Sequence, residues 1–144
     1  IGGDPRRFLS YIQLYYQGLE ELGRGRLPVA VHSHGHVAET DARAKEELFV
    51  PWRDMRNRIG AERGWPPTTM REFEHEAEAG SLYVGAPDTV ARRIAGTIRA
   101  LGLSRFTMKY SAGTLAHDKM LTCIELFGRE VIPRVRELLG SQPD

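Results

Sequence analysis

The sequence predicts an α/β fold, namely the C-terminal portion of a (β/α)8 TIM-type barrel, with parallel strands alternating with helices and incomplete on its own. Three observations lead there. Short apolar runs alternate with longer amphipathic stretches, the pattern of a parallel sheet with right-handed helical crossovers. Only about three main strands can be found, against eight strands and roughly 250 residues in a closed barrel. The chain opens as Ile1-Gly2-Gly3-Asp4-Pro5, which reads as the end of a buried strand turning into a helix. The expectation is therefore a chain trimmed or cleaved from a longer one, with residues 1–140 forming the barrel portion and 141–144 a tail.

Each element has its own signal. Asp4 as cap and Pro5 at the first helical position start a helix. Phe8, Ile12, Tyr15, Leu19 and Leu22 recur at spacings of three and four along it, predicting one apolar face that ends at Gly23. Residues 27–37 read as a buried strand running into a loop, with Gly35 expected to break the extension. Thr40-Asp41 caps a helix to about Arg63 bearing Ala44, Leu48, Met55 and Ile59, with a kink or break expected near Val50 because Pro51 follows. Thr69 to Glu72 has the form of a capping box opening a short, highly charged helix to about Gly80. That polar segment is expected to be an excursion from the scaffold, a lid over the site.

Ser81-Leu-Tyr-Val-Gly85 is a short apolar run, and a helix follows Pro87 with Val90, Ile94, Ile98 and Leu101 on one face. Gly102 ends it. Residues 105–110 form the next strand and 111–114 its exit loop. The last helix spans about 117–139, with Met120, Ile124, Phe127, Val131, Val135 and Leu138 inward and Pro133 placed to bend it.

Composition narrows the function. The 144 residues carry Lys+Arg 20 against Asp+Glu 19, so no charge excess argues for nucleic acid or an anionic membrane surface. No run approaches the roughly 20 apolar residues of a membrane span, and no signal peptide is recognised. The single cysteine, Cys123, excludes an internal disulfide and a multi-Cys zinc site. It lies beside an apolar stripe and reads as an inert buried thiol. A cytoplasmic setting is expected.

Several residues carry possible chemistry. Gly2 and Gly3 stand at a strand-to-helix junction, where backbone N–H groups and a helix N-terminus suit a phosphate or the polar edge of a flavin; a simple tight turn is the plainer reading. His32, His34 and His36 fall on one strand face by period-two alternation. They suit metal ligation, or they line a polar mouth, and no nearby Asp or Glu is obviously placed to complete a metal site. Lys109, Ser111 and Gly113 follow the last strand, on the side where a barrel places its catalytic groups. Thr107, Lys109 and Ser111 alternate with Phe106 and Met108, and Lys109 fits a cavity mouth or a structural ion pair equally well. The Arg92-Arg93 pair and Arg134 with Arg136 read as solvated helix surface. Trp52 and Trp65 read as packing anchors.

Several of these segments together resemble the luciferase-like monooxygenases, the bacterial-luciferase-type flavin-dependent oxidoreductases. They are Ile1 to Phe8, Val31 to Asp41, Ile59-Gly-Ala-Glu-Arg-Gly-Trp-Pro-Pro67, Tyr83-Val-Gly-Ala-Pro-Asp-Thr-Val-Ala91, Lys109-Tyr-Ser-Ala-Gly-Thr-Leu115 and Ile124 to Val131. They occur in the family's order along nearly the whole chain. The resemblance implies the C-terminal portion of a barrel, usually dimeric, that uses reduced FMN, or a deazaflavin in some branches, with oxygen and a small organic substrate. It places Gly2 and Gly3 beside the flavin, and His34 and the loop Ser111 to Gly113 at the rim of the isoalloxazine or substrate. The family's N-terminal half is absent, so the chain alone is expected to bind flavin poorly and to turn over nothing. It is expected to pair with another copy or with that missing half. Two other classes fit the residues: a metal-dependent barrel hydrolase using His32 and His34, and a non-catalytic interaction module.

Overall fold

A computed structural model of the chain describes residues 2–140. The strand end expected at Ile1 and the tail expected at 141–144 lie outside the described residues. Asp4 caps a single 3-10 turn, Pro5–Phe8, by accepting the Arg6 N–H, and the turn leads into α1 (Leu9–Glu21). There follow β1 (Ala30–Val37), α2 (Asp41–Ala61), α3 (Met70–Glu78), β2 (Tyr83–Gly85), α4 (Pro87–Leu101), β3 (Arg105–Lys109) and α5 (His117–Leu126). A π turn, Phe127–Val131, joins α5 to α6 (Ile132–Leu139).

The three strands form one parallel sheet in the order β2-β1-β3. The long central strand serves each short neighbour along a different stretch. Ala30 to His34 pair with Arg105 to Lys109, and Gly35 to Val37 pair with Tyr83 to Gly85. α4 is the crossover that brings the chain from β2 past β1 to β3, so the α/β reading of the sequence holds. β1 runs straight through Gly35, where a break was expected. Glycine is what permits the pairing there: a Cβ would stand 2.5 Å from the Tyr83 carbonyl oxygen and 2.6 Å from the Met108 sulfur.

Burial divides the apolar residues between the two sides of the sheet. Val37, Tyr83, Val90, Ala91, Ile94, Cys123 and Val131 form one core, with Phe106, Met108 and Phe127 packed on it. Ala38, Ala44, Leu48, Trp52, Phe73, Ala77, Leu82, Val84, Ala112 and Leu115 form another, built largely from α2, α3 and the β3–α5 loop. A smaller cluster, Val31, Leu101 and Leu103, closes the N-terminal end of β1.

Several expectations change here. α3 is not a loose cover: its capping box forms as predicted, but Phe73 is 0% exposed and meets Phe49 and Trp52 edge to face. Phe73 and Ala77, four residues apart, are the buried residues of this charged helix. α2 continues unbroken through Pro51, which only deprives the Glu47 carbonyl of its usual donor. In the last helix, the turn before Pro133 widens to a π turn that takes up the irregularity a proline imposes. Cys123 is fully buried there, whereas Ile124 is 45% exposed. On α1 only Leu19 of the expected face is buried; Phe8 and Ile12 are partly covered, and Tyr15 and Leu22 are exposed. An apolar stripe is buried only where another element meets it, and α1 touches α4 along part of its length.

Candidate functional site

The sheet leaves one polar strip in the open. On β1, Ala30 and His32 are exposed and His34 is partly so; on β3, Arg105, Thr107 and Lys109 are exposed. The parallel register sets His32 beside Thr107 and His34 beside Lys109. The alternate residues Phe106 and Met108 turn to the helices, as the period of two requires. His32 and His34 have their ring centres 6.4 Å apart. Burial lowers the His34 imidazole pKa first, and the nearby Lys109 and His32 lower it further, so this ring stays neutral to more acid pH than a free histidine. Its Nδ1 is buried and has no hydrogen-bond partner among the described residues.

His34 also lines a cleft of about 270 Å3 with Gly2, Met55, Ile59, Leu82 and the two tryptophans, Trp52 and Trp65. Two arginines, Arg56 and Arg63, and the polar Glu76 and Ser81 complete it. Met55 joins this cleft to the loop after β3, because Gly113 packs on α2. With φ +49°, Gly113 sits where a Cβ would meet the Pro51 carbonyl oxygen at 2.5 Å and the Met55 Cβ at 3.3 Å. Of the residues expected at the site, Gly2 and His34 share the cleft, Lys109 lies next to His34 in the sheet, and Ser111 and Gly113 lie in the adjoining exposed loop. Gly3 takes a left-handed conformation, φ +67°, next to Arg7 and is not among the cleft residues. A larger cleft, about 450 Å3, runs between Asp4 to Arg6, the end of α3 and the flank of α4. It contains no residue of the strip, whereas the smaller one contains His34.

His36 behaves differently from its two neighbours. It is fully buried, and its Nε2 meets Glu47 Oε2 at 2.9 Å. Glu47 also holds Lys119 at 3.0 Å and Arg43 at 2.9 Å. Partial burial opposes its ionisation, but the hydrogen bonds from His36, Lys119 and Arg43 prevail and bring its pKa down to about 2. This carboxylate was missed in the sequence, although the i, i+4 spacing from Arg43 was a visible signal. The His36 Nδ1 has no hydrogen-bond partner among the described residues.

For the metal reading, the described residues contain no group of three His, Cys, Asp or Glu side chains placed to hold an ion. Glu47 reaches His36, not the His32 and His34 pair.

Two further residues work through the backbone. Asp41, one position past the Thr40 cap of α2, accepts the Ala86 N–H at 2.7 Å and the Thr89 hydroxyl at 3.1 Å, capping α4 across the fold. Arg93 corrects an expectation: it does not decorate a solvated face. Its guanidinium donates to the carbonyls of Ala77, Gly80 and Leu82 and lies 4.9 Å over the Tyr83 ring. Burial lowers its pKa, yet three carbonyl acceptors satisfy the charge. Arg92, by contrast, pairs with Asp88 at the surface.

No family model matches the chain, and no curated protein matches it. Solved structures do. One is a type II Baeyer-Villiger monooxygenase, the oxygenating constituent of 3,6-diketocamphane monooxygenase from the CAM plasmid of Pseudomonas putida, in complex with FMN. It matches 92% of this chain and 41% of its own, with 20% identity and a TM-score of 0.65. The monooxygenase RslO1 from Streptomyces bottropensis matches over 90% of this chain and 39% of its own, with 16% identity and a TM-score of 0.70. The coenzyme F420-dependent tetrahydromethanopterin reductase from Methanopyrus kandleri matches over 93% and 44%, with 21% identity and a TM-score of 0.56. The chain thus spans about two fifths of the length of these structures. At such identities the likeness is one of fold, and the chain has the fold of part of a TIM-type barrel.

Proposed function

We propose that this chain is the C-terminal portion of a flavin-dependent oxidoreductase, a monooxygenase acting with reduced FMN, or a deazaflavin, on a small organic substrate and oxygen. The observation that carries the reading is the open strip of β1 and β3, which leads into the cleft beside His34. Such a face is polar and adjoined by an apolar wall, and the fold is shared with a monooxygenase in complex with FMN.

The residues present fit a flavin on one side only. The orphaned Nδ1 of His34 and the exposed Lys109 ammonium offer polar partners to a ring edge, and Met55 and Leu82 offer an apolar wall. Gly2 lies at the cleft, and Gly3, Ser111 and Gly113 stand close by in the same reading. When bound, the cofactor supplies the redox chemistry. This chain's part is to bind and orient, to keep water from the apolar side, and to hold a neutral imidazole at His34. The neutral ring can accept or donate a hydrogen bond without adding charge. In this reading the segment 1–140 is one portion of the barrel, and alone it binds flavin weakly and turns over nothing.

The reading also places the protein in the cytoplasm, where the free, buried Cys123 stays reduced. Among the described residues no helix is long and apolar enough to cross a membrane. The exposed Tyr11, Leu14 and Leu22 of α1 and its C-terminal end are covered by the rest of the barrel or by a second copy. Size exclusion giving only a stable monomer of 16.2 kDa, with no association on concentration, would count against that pairing.

The test is a titration of FMN against this chain, followed by flavin fluorescence. Weak, saturable quenching is expected, reduced several-fold by His34→Ala and by Lys109→Ala and unchanged by Arg129→Ala at the surface. Equal quenching in all four proteins would sink the assignment of the strip.

A further inference from the structure

The wall of the cleft is a stack of alternating indoles and guanidiniums. The Arg56 guanidinium lies 5.5 Å from the Trp52 ring centre and 5.1 Å from that of Trp65, so it is held between two indoles. Arg63 covers Trp65 at 5.3 Å. All four side chains line the same cleft as His34, Met55 and Leu82. Gly60 lets the turn fold back so that Trp65 can join the stack: a Cβ there would stand 3.1 Å from the Trp65 Cβ.

Neither Arg56 nor Arg63 has an ion pair or a hydrogen-bond acceptor among the described residues, although other arginines of the chain do. Two carboxylates near the stack are held by local donors. Glu72 accepts the Thr69 N–H in the capping box, and Glu76 accepts the Ser81 N–H and hydroxyl. Cation–π contact fixes the plane of a guanidinium and leaves its N–H fork open. A fork fixed in this way beside the apolar side chains of Met55, Ile59 and Leu82 matches a planar oxyanion attached to an apolar body.

We propose that the Trp52–Arg56–Trp65–Arg63 stack is the anchor for a carboxylate on the substrate, and that the substrate class is an aromatic or alicyclic carboxylate. The proposal rests on the flavin-site reading for its chemistry, but the anchor binds its ligand without the cofactor. Arg56 holds the oxyanion from within the stack, Arg63 approaches it from the outer layer, and Met55, Ile59 and Leu82 contact the hydrocarbon. A phosphate shares the same anionic chemistry, so the cofactor's own phosphate is the competing source.

The experiment follows tryptophan fluorescence of the 144-residue chain titrated with 2-naphthoate, with neutral 2-naphthylmethanol, and separately with FMN and riboflavin. The expected result is at least tenfold tighter binding of 2-naphthoate than of the alcohol. Arg56→Gln and Arg63→Gln each erase that preference, and Arg58→Gln on the exposed side of α2 leaves it intact. Circular dichroism checks that the variants fold; should Arg56→Gln lose structure, the exposed Arg63→Gln decides. Equal binding of acid and alcohol, or no binding of either, overturns the anchor. An Arg56-dependent preference for FMN over riboflavin without one for 2-naphthoate overturns the substrate assignment and gives the stack to the cofactor. Loss of flavin binding in His34→Ala with the 2-naphthoate preference retained separates the two sites.

Discussion

Glu47 Oε2 stands 2.9 Å from His36 Nε2, joining the fully buried imidazole of β1 to a helix that begins only four residues after the strand ends. The same carboxylate reaches forward to Lys119 on α5. One anionic group therefore ties three elements together at the C-terminal end of the sheet.

That junction makes stability depend on acid. Glu47 has a folded pKa of about 2 against 4.5 unperturbed, so its contribution is fully present above pH 4.5 and is lost as pH falls through that range towards 2. Its size is at most ~3 kcal/mol, lessened by solvent screening of the partly accessible group. Urea denaturation between pH 6 and pH 2.5 should show this slope. Glu47→Gln should flatten it and lower stability at pH 7, because His36 and Lys119 lose their carboxylate partner.

Phe73 anchors α3 to the second core. Phe73→Ala should cost about 3–5 kcal/mol, the range for emptying a fully buried aromatic site. Glu74→Ala, one residue on and exposed, should change stability by less than about 0.5 kcal/mol. Matching effects of the two substitutions in a chemical melt would show that α3 is a detachable cover after all.

The Arg93 clamp gathers the chain from Ala77 to Leu82 onto α4. Arg93→Lys keeps the charge but not the planar fork, so it should lower the thermal midpoint almost as much as Arg93→Met. The loss expected is about 2 kcal/mol, from stranded carbonyls in a region that water reaches poorly. Amide exchange at Leu82 and Ser81 should quicken in both variants. Full rescue by lysine would mean that charge alone matters.

Gly35 is required by the two strands it serves. Gly35→Ala places a methyl group against the Tyr83 carbonyl and the Met108 sulfur. Overpacking of this kind costs about 1–3 kcal/mol. Gly96→Ala, in open space on α4, should be neutral or stabilising, since alanine favours helix by about 1 kcal/mol over glycine. Opposite signs in thermal denaturation would support this account of the two glycines.

What the sequence determined by itself is local in origin. The order of helices and strands, the Thr69–Glu72 capping box, the Thr40 cap and the alternation of Phe106 and Met108 with Thr107 and Lys109 follow from spacing and side-chain type within a few residues. His34 and Lys109 could be singled out for the same reason: polar groups spaced by two at a strand end announce a face. The tertiary structure alone decided which of them meet. It set His34 beside Lys109, turned His36 onto Glu47, drew Arg93 into a cage of carbonyls, brought Asp41 to cap α4, and stacked Arg56 between Trp52 and Trp65. Apart from Trp52 and Arg56, four residues apart on α2, these pairings join residues on different elements or across a turn, so their formation depends on how the elements pack. Side-chain periodicity carries no record of that packing, because it describes one element at a time.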